Sequence, residues 1–89
     1  MKVRKRNGNL QDLNMDKIRL TLERVSDELK KPFTASDLNL LIGAIEGEIM
    51  EAGKEIIDSI DIGKIVIGQL KKNHFMQVAK AYEEFDRKF

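Results

Sequence analysis

The chain has 89 residues, 42% of them hydrophobic and none of them cysteine, which gives one domain over residues 1–89 with a modest core and excludes disorder, disulfide staples and thiolate zinc sites. Its 16 Lys+Arg against 15 Asp+Glu leave a net charge of +1, less than a general nucleic-acid binder carries. No apolar run approaches the ~20 residues that cross a bilayer. No apolar h-region follows the basic start, so it is not a signal peptide, and a reducing cytoplasmic setting is expected.

Lys2 to Arg6 reads as a short basic strand, Asn7-Gly8 as a type I′ turn in which both residues tolerate positive φ, and Asn9 to Leu13 as the return strand. Asn14 caps the first helix, with Asp16 in its first turn. Met15, Ile18, Leu22, Val25 and Leu29 follow at 3-4-3-4 spacing, and Pro32 stops the helix. Thr34, with an acid three residues on, starts a second helix with the stripe Leu38, Leu41, Ile42, Ile45 and Ile49. Its Gly43 and Gly47 are four apart, a spacing that lets a neighbouring element approach, and Gly53 caps its end. Lys54 to Asp58 reads as a short strand that joins the hairpin. Asp58 or Ser59 caps a third helix, whose inner face is Ile62, Ile65, Val66, Gln69 and Leu70. After a break at Asn73-His74, the residues Phe75, Val78, Tyr82, Phe85 and Phe89 mark a fourth helix. The expected class is α+β, mostly α: a four-helix bundle capped by a three-stranded sheet.

Little here supports catalysis. There is one His and no Cys, so neither a triad nor a zinc site can be assembled. His74 reads as a surface or capping residue, Asp58 and Asp61 as helix-start acids, and Tyr82 with the Phe residues as core. No GxxxxGK[ST] or GxGxxG phosphate loop occurs. The best candidate site is Lys5 and Arg6 with Lys17. The hairpin can return the basic pair toward the start of the first helix, gathering cations and helix-terminal N–H groups for a polyphosphate. The same residues also read as a solvated basic strand that keeps a sheet edge soluble.

The segment Val3 to Ile18 resembles the opening of the ATP-cone, a nucleotide-binding regulatory domain found on ribonucleotide reductases and related regulators. Val3, Lys5, Arg6, Asn7, Gly8, Leu13, Asn14, Asp16, Lys17 and Ile18 stand in its motif positions. Residues 59–70 are similar to the family's third helix, and Val78 to Phe85 to its closing helix. The resemblance implies ATP or dATP as ligand, with Mg2+ as a candidate companion, bound between cap and helices. Lys5 and Arg6 would hold phosphates and Lys17 the phosphates or sugar. Gln11 and Asn14 would lie near the base, with Ile18 packed beside it. Ser59 and Gly63 would reach the ribose or phosphates, and Lys88 would complete the phosphate site. Gly63 departs from the His of some members, Gln11 from a Glu, and Gln77 from an Arg. The resemblance further implies a non-enzymatic sensor that changes the oligomeric state or activity of a partner such as a ribonucleotide reductase subunit. Two other readings compete with it. One is a small nucleic-acid binder using the basic start, and the other a helical interaction module without a nucleotide.

Overall fold

The computed structural model describes residues 1–88, with side chains through Asp86. The element order is β1 (Lys2–Arg4), β2 (Leu10–Asp12), α1 (Met15–Glu28), α2 (Ala35–Glu51), β3 (Ile56–Asp58), α3 (Ser59–Lys72) and α4 (Met76–Lys88). This is the expected α+β architecture, mostly α. Each helix packs on two others, in the ring α1–α2–α3–α4 and back to α1. The ring encloses Leu22, Leu41, Ile45, Ile49, Val66 and Leu70, all fully buried. Their 3-4 spacing puts them on one face of each helix, and burying such side chains is worth roughly 1.5–3 kcal/mol apiece.

The sheet has the order β2-β1-β3, with β1 antiparallel to β2 and parallel to β3. The register pairs Val3 with both Gln11 and Ile57. Side chains alternate along a strand, so these three share the face turned to the helices. Ile57 is the cap's one fully seated plug, at 2% exposed, and Val3 and Leu13 pack beside it against the helical core.

Local chemistry corrects several expectations. The strands are three residues long, shorter than the spans Lys2 to Arg6, Asn9 to Leu13 and Lys54 to Asp58 expected from the sequence. The hairpin is not the two-residue type I′ loop. Lys5 and Asn9 continue the pairing through a Lys5 N–H to Asn9 carbonyl bond of 2.8 Å. Arg6, Asn7 and Gly8 form a three-residue loop, and the Gly8 N–H closes a turn on the Lys5 carbonyl at 2.9 Å. Only Gly8 takes positive φ, at 88°. This is the glycine-bulge loop next in preference after the primed turns, and the Asn7 side chain accepts from the Asn9 N–H to brace it.

Helix ends follow the sequence closely. Asn14 Oδ1 accepts from the Asp16 and Lys17 N–H groups, and Thr34 Oγ1 from Asp37. Three helices end with a left-handed residue just past the cap: Lys30 (φ 57°), Gly53 (φ 63°) and His74 (φ 68°). At Lys30 and His74 the N–H groups of the left-handed residue and its successor both bond back into the last turn, the Schellman arrangement. His74 is therefore an exposed terminator, as the capping reading expected. Gly43 and Gly47 do not admit a close neighbour, since an added Cβ at either meets nothing within 4 Å. Phe85 is 40% exposed rather than core, and Ala79 takes a buried place on α4 instead. Phe89 lies outside the described residues.

Candidate functional site

Two hollows open where the cap meets the helices. The first, about 180 Å³, lies between β1–β2, the first turn of α1, the start of α3 and the far end of α4. Its walls include Lys5, Gln11, Asn14, Lys17, Ile18 and Ser59, six of the residues singled out in the sequence. Strand alternation explains Lys5 and Gln11, which point the same way as Val3 and Leu13. Helix geometry explains Lys17 and Ile18, which follow directly from the Asn14 cap. Apolar Val3, Leu13, Ile18 and Ile62 give the hollow a greasy floor under a polar rim, the combination that suits a small ligand with one flat apolar part.

The second hollow, about 340 Å³, is lined by Arg4, Lys5, Arg6, Gly8, Asp58, Ser59 and Ile60. Lys5 and Ser59 belong to both, so the two adjoin. The second hollow sits on the N-terminus of α3. Asp58 occupies the capping position there, yet its side chain makes no capping hydrogen bond. Its carboxylate is turned to Arg4 instead, at 3.6 Å. The first N–H groups of α3 thus keep the partial positive charge of an uncapped helix start, next to three cationic side chains. α1 differs, because Asn14 already satisfies two of its first N–H groups.

The charges around the site are arranged in pairs. Lys2 holds Asp12, and its hydrogen bond and charge set the Asp12 carboxyl below its ordinary pKa. Arg4 faces Asp58, and Arg6 reaches Asp86 at 3.5 Å. Among the described residues no ion pair engages Lys5 or Lys17. Tyr82, buried in the wall of the first hollow, has its phenol pKa pushed up to about 12, mainly by burial and further by the Asp86 charge.

Gly63 does not line either hollow. It is buried beneath Asp86, and a Cβ there would stand 2.6 Å from Asp86 Oδ2. Glycine at this place is what lets the carboxylate settle onto α3. The Lys88 side chain lies outside those described. The sequence reading did not single out Asp86 or the polar end of Tyr82. Asp86 and Arg6 are 80 positions apart, and no periodicity links them. Among the described residues, no group of three or more His, Asp or Glu is placed to hold a metal ion. No described helix is long and apolar enough to cross a membrane.

A hollow of about 400 Å³ lies at the other end of α1, between Lys31, Phe33, His74 and Phe75. Phe33 and Phe75 meet edge to face there, with ring centroids 4.9 Å apart. It is larger than either cap hollow, and α4 starts in its wall at Met76, but it contains none of the clustered cations Arg4, Lys5 and Arg6.

The ATP cone domain family matches this chain over residues 1–88. The transcriptional repressor NrdR of Persephonella marina (strain DSM 14350 / EX-H1) is 29% identical to it over 86 residues, covering 93% of this chain and 55% of that protein. The chain therefore spans about half the length of that curated relative. ATP-cone domains bind adenine nucleotides and are regulatory rather than catalytic. With the hairpin-capped bundle, the Val3–Ile18 motif and the match along the described residues in agreement, the chain belongs to the ATP-cone domain family.

Proposed function

We propose that this chain is a non-catalytic sensor domain, folded as one unit, that binds ATP or dATP across the two cap hollows and alters the surface it offers to a partner. The observation that carries this reading is the grouping of Lys5 and Arg6 about the uncapped start of α3, beside an adjoining hollow walled by Gln11, Asn14, Lys17 and Ile18. A triphosphate needs several cations and backbone donors held together. An adenine needs an apolar slot with a few hydrogen-bonding groups. Phosphates go to the second hollow, with Lys5 and Arg6 on one side and the α3 N–H groups at Ser59 on the other. The base goes to the first, near Gln11 and Asn14, with Ile18 against its face, and Lys17 reaches the sugar or phosphates between. Mg2+ would accompany the nucleotide by neutralising part of its charge.

Bound nucleotide bridges the cap and the helices, and it shifts the protein only as far as its affinity differs between two states. A second copy of the chain or a ribonucleotide reductase subunit is the partner this regulation would address. The relative named as a transcriptional repressor favours a second setting, in which the sensor belongs to a regulator that acts on nucleic acid. The net charge of +1 argues against nucleic-acid contact by these residues themselves.

Calorimetric titration with ATP and dATP in the presence of magnesium, with GTP as control, tests the proposal. Saturable micromolar binding of an adenine nucleotide, without heat from GTP, is expected. Silence from all three at millimolar ligand would leave an interaction module without a nucleotide.

A further inference from the structure

Asp86 is an acid standing among cations that the proposed ligand needs. Asp12 also borders a hollow, but its partner Lys2 lines neither, and Asp58 with its partner Arg4 lines the phosphate hollow as a half-exposed pair. Asp86 pairs instead with Arg6, which lines the phosphate hollow. Its carboxylate is only one-third exposed, and it occupies a seat that exists because Gly63 has no side chain. Gly63 follows Ser59 by four residues on α3, so the two share a helix face. The carboxylate therefore sits about one turn, ~5.4 Å, along α3 from Ser59, one of the two residues common to both hollows. Tyr82, four residues before Asp86, lies on the same face of α4, and both line the first hollow.

We propose that Asp86 is a specificity-determining residue: seated on Gly63 and paired with Arg6, it acts as an internal counter-anion that polyphosphates must displace or oppose, so that it weakens binding in proportion to phosphate charge. This rests on the nucleotide reading of the site. Asp86 also lines the first hollow, but a ligand without phosphate brings no charge for its carboxylate to oppose and does not compete for Arg6. A triphosphate competes for Arg6 and meets the carboxylate's repulsion, and like charges brought together at a site cost binding strongly. The domain's response is thereby moved to higher nucleotide concentration, without loss of the cations that hold the ligand.

The test is a ladder of adenosine, AMP, ADP and ATP, titrated without divalent metal into the full chain and into Asp86→Asn, which keeps the shape and removes the charge. Tightening on the order of tenfold is expected for ATP, less for ADP and AMP, and none for adenosine. The wild-type chain gives a second readout by carboxyl-detected NMR. The Asp86 side-chain resonance should move much further with ATP than with adenosine, whose base shares the first hollow with it. If wild-type protein binds ATP but Asp86→Asn binds it no tighter, or if adenosine gains as much as ATP, this role for Asp86 is wrong and the nucleotide site stands. An Asp86 resonance that ignores ATP while its neighbours respond overturns it equally. Silence of the wild-type chain toward the whole ladder removes the nucleotide reading, and this inference with it.

Discussion

The helical ring and the sheet that caps it are held by different forces. The ring buries branched aliphatic side chains from facing helices, with Leu41, Ile45, Ile49, Val66 and Leu70 each fully enclosed. The cap is three strands of three residues each. It contributes Ile57 to the core, supports it with Val3 and Leu13, and otherwise relies on backbone pairing and exposed ion pairs. Exposed pairs are worth little, typically 0–1 kcal/mol. Stability therefore resides in the ring, while charge and access reside in the cap. A ligand lodged between them can add substantially to the cap's few contacts without disturbing the ring, and a sensing domain needs that division.

The sharpest way to break this contrast is in the ring. Ile45→Ala should cost about 2–5 kcal/mol by leaving an enclosed cavity, measured by denaturant unfolding. A loss below 1 kcal/mol would mean the ring is not the stabilising layer. In the cap, Lys5→Ala and Arg6→Ala should each weaken ATP by about 1.5–3 kcal/mol through a lost charge-assisted contact. Their unfolding free energies should stay within about 0.5 kcal/mol of the parent. Calorimetry paired with denaturation reads both quantities on the same proteins.

Tyr82 joins the two regions and gives the contrast a pH signature. Its folded pKa is about 12 against an ordinary 10.0, mainly because the neutral phenol is favoured by burial. The unfolded chain loses that proton near pH 10 and the folded chain near 12. The stabilisation is complete below pH 10 and disappears between 10 and 12, for a total of roughly 2–3 kcal/mol. Alkaline unfolding curves should show that decline, and Tyr82→Phe should flatten it. The smallest effect belongs to the helix ends. His74→Gly, at a left-handed position that glycine adopts freely, should gain about 0.5–1 kcal/mol in thermal unfolding.

The ring was legible in the sequence because its signals are local. The 3-4 spacings of Leu22 and Val25, or of Leu41 and Ile45, mark a buried face within one turn, and Asn14, Thr34 and Gly53 punctuate the helices they end. The hairpin was half legible. Asn7-Gly8 marked a turn, but its type depended on the pairing of Lys5 with Asn9. The site's cations and Ser59 were readable from the motif they resemble. What escaped was set by tertiary contact. Gly63 looked like a lost side chain, and it is instead the floor under Asp86. Asp58 looked like an ordinary cap, yet its carboxylate goes to Arg4 and leaves the start of α3 open. The edge-to-face pair Phe33–Phe75 likewise joins residues far apart in the chain.

The most direct test of the account is where ATP lands. In an amide NMR titration of the full chain, the largest shifts are expected at Lys5, Gly8, Gln11, Asn14 and Lys17, and at Ser59 and Ile60 on the start of α3. Residues around Phe33 and Phe75, at the other end of α1, should stay near their starting positions. Saturable shifts centred on the Phe33–Phe75 hollow would contradict the cap site, as would a spectrum unchanged at millimolar ATP.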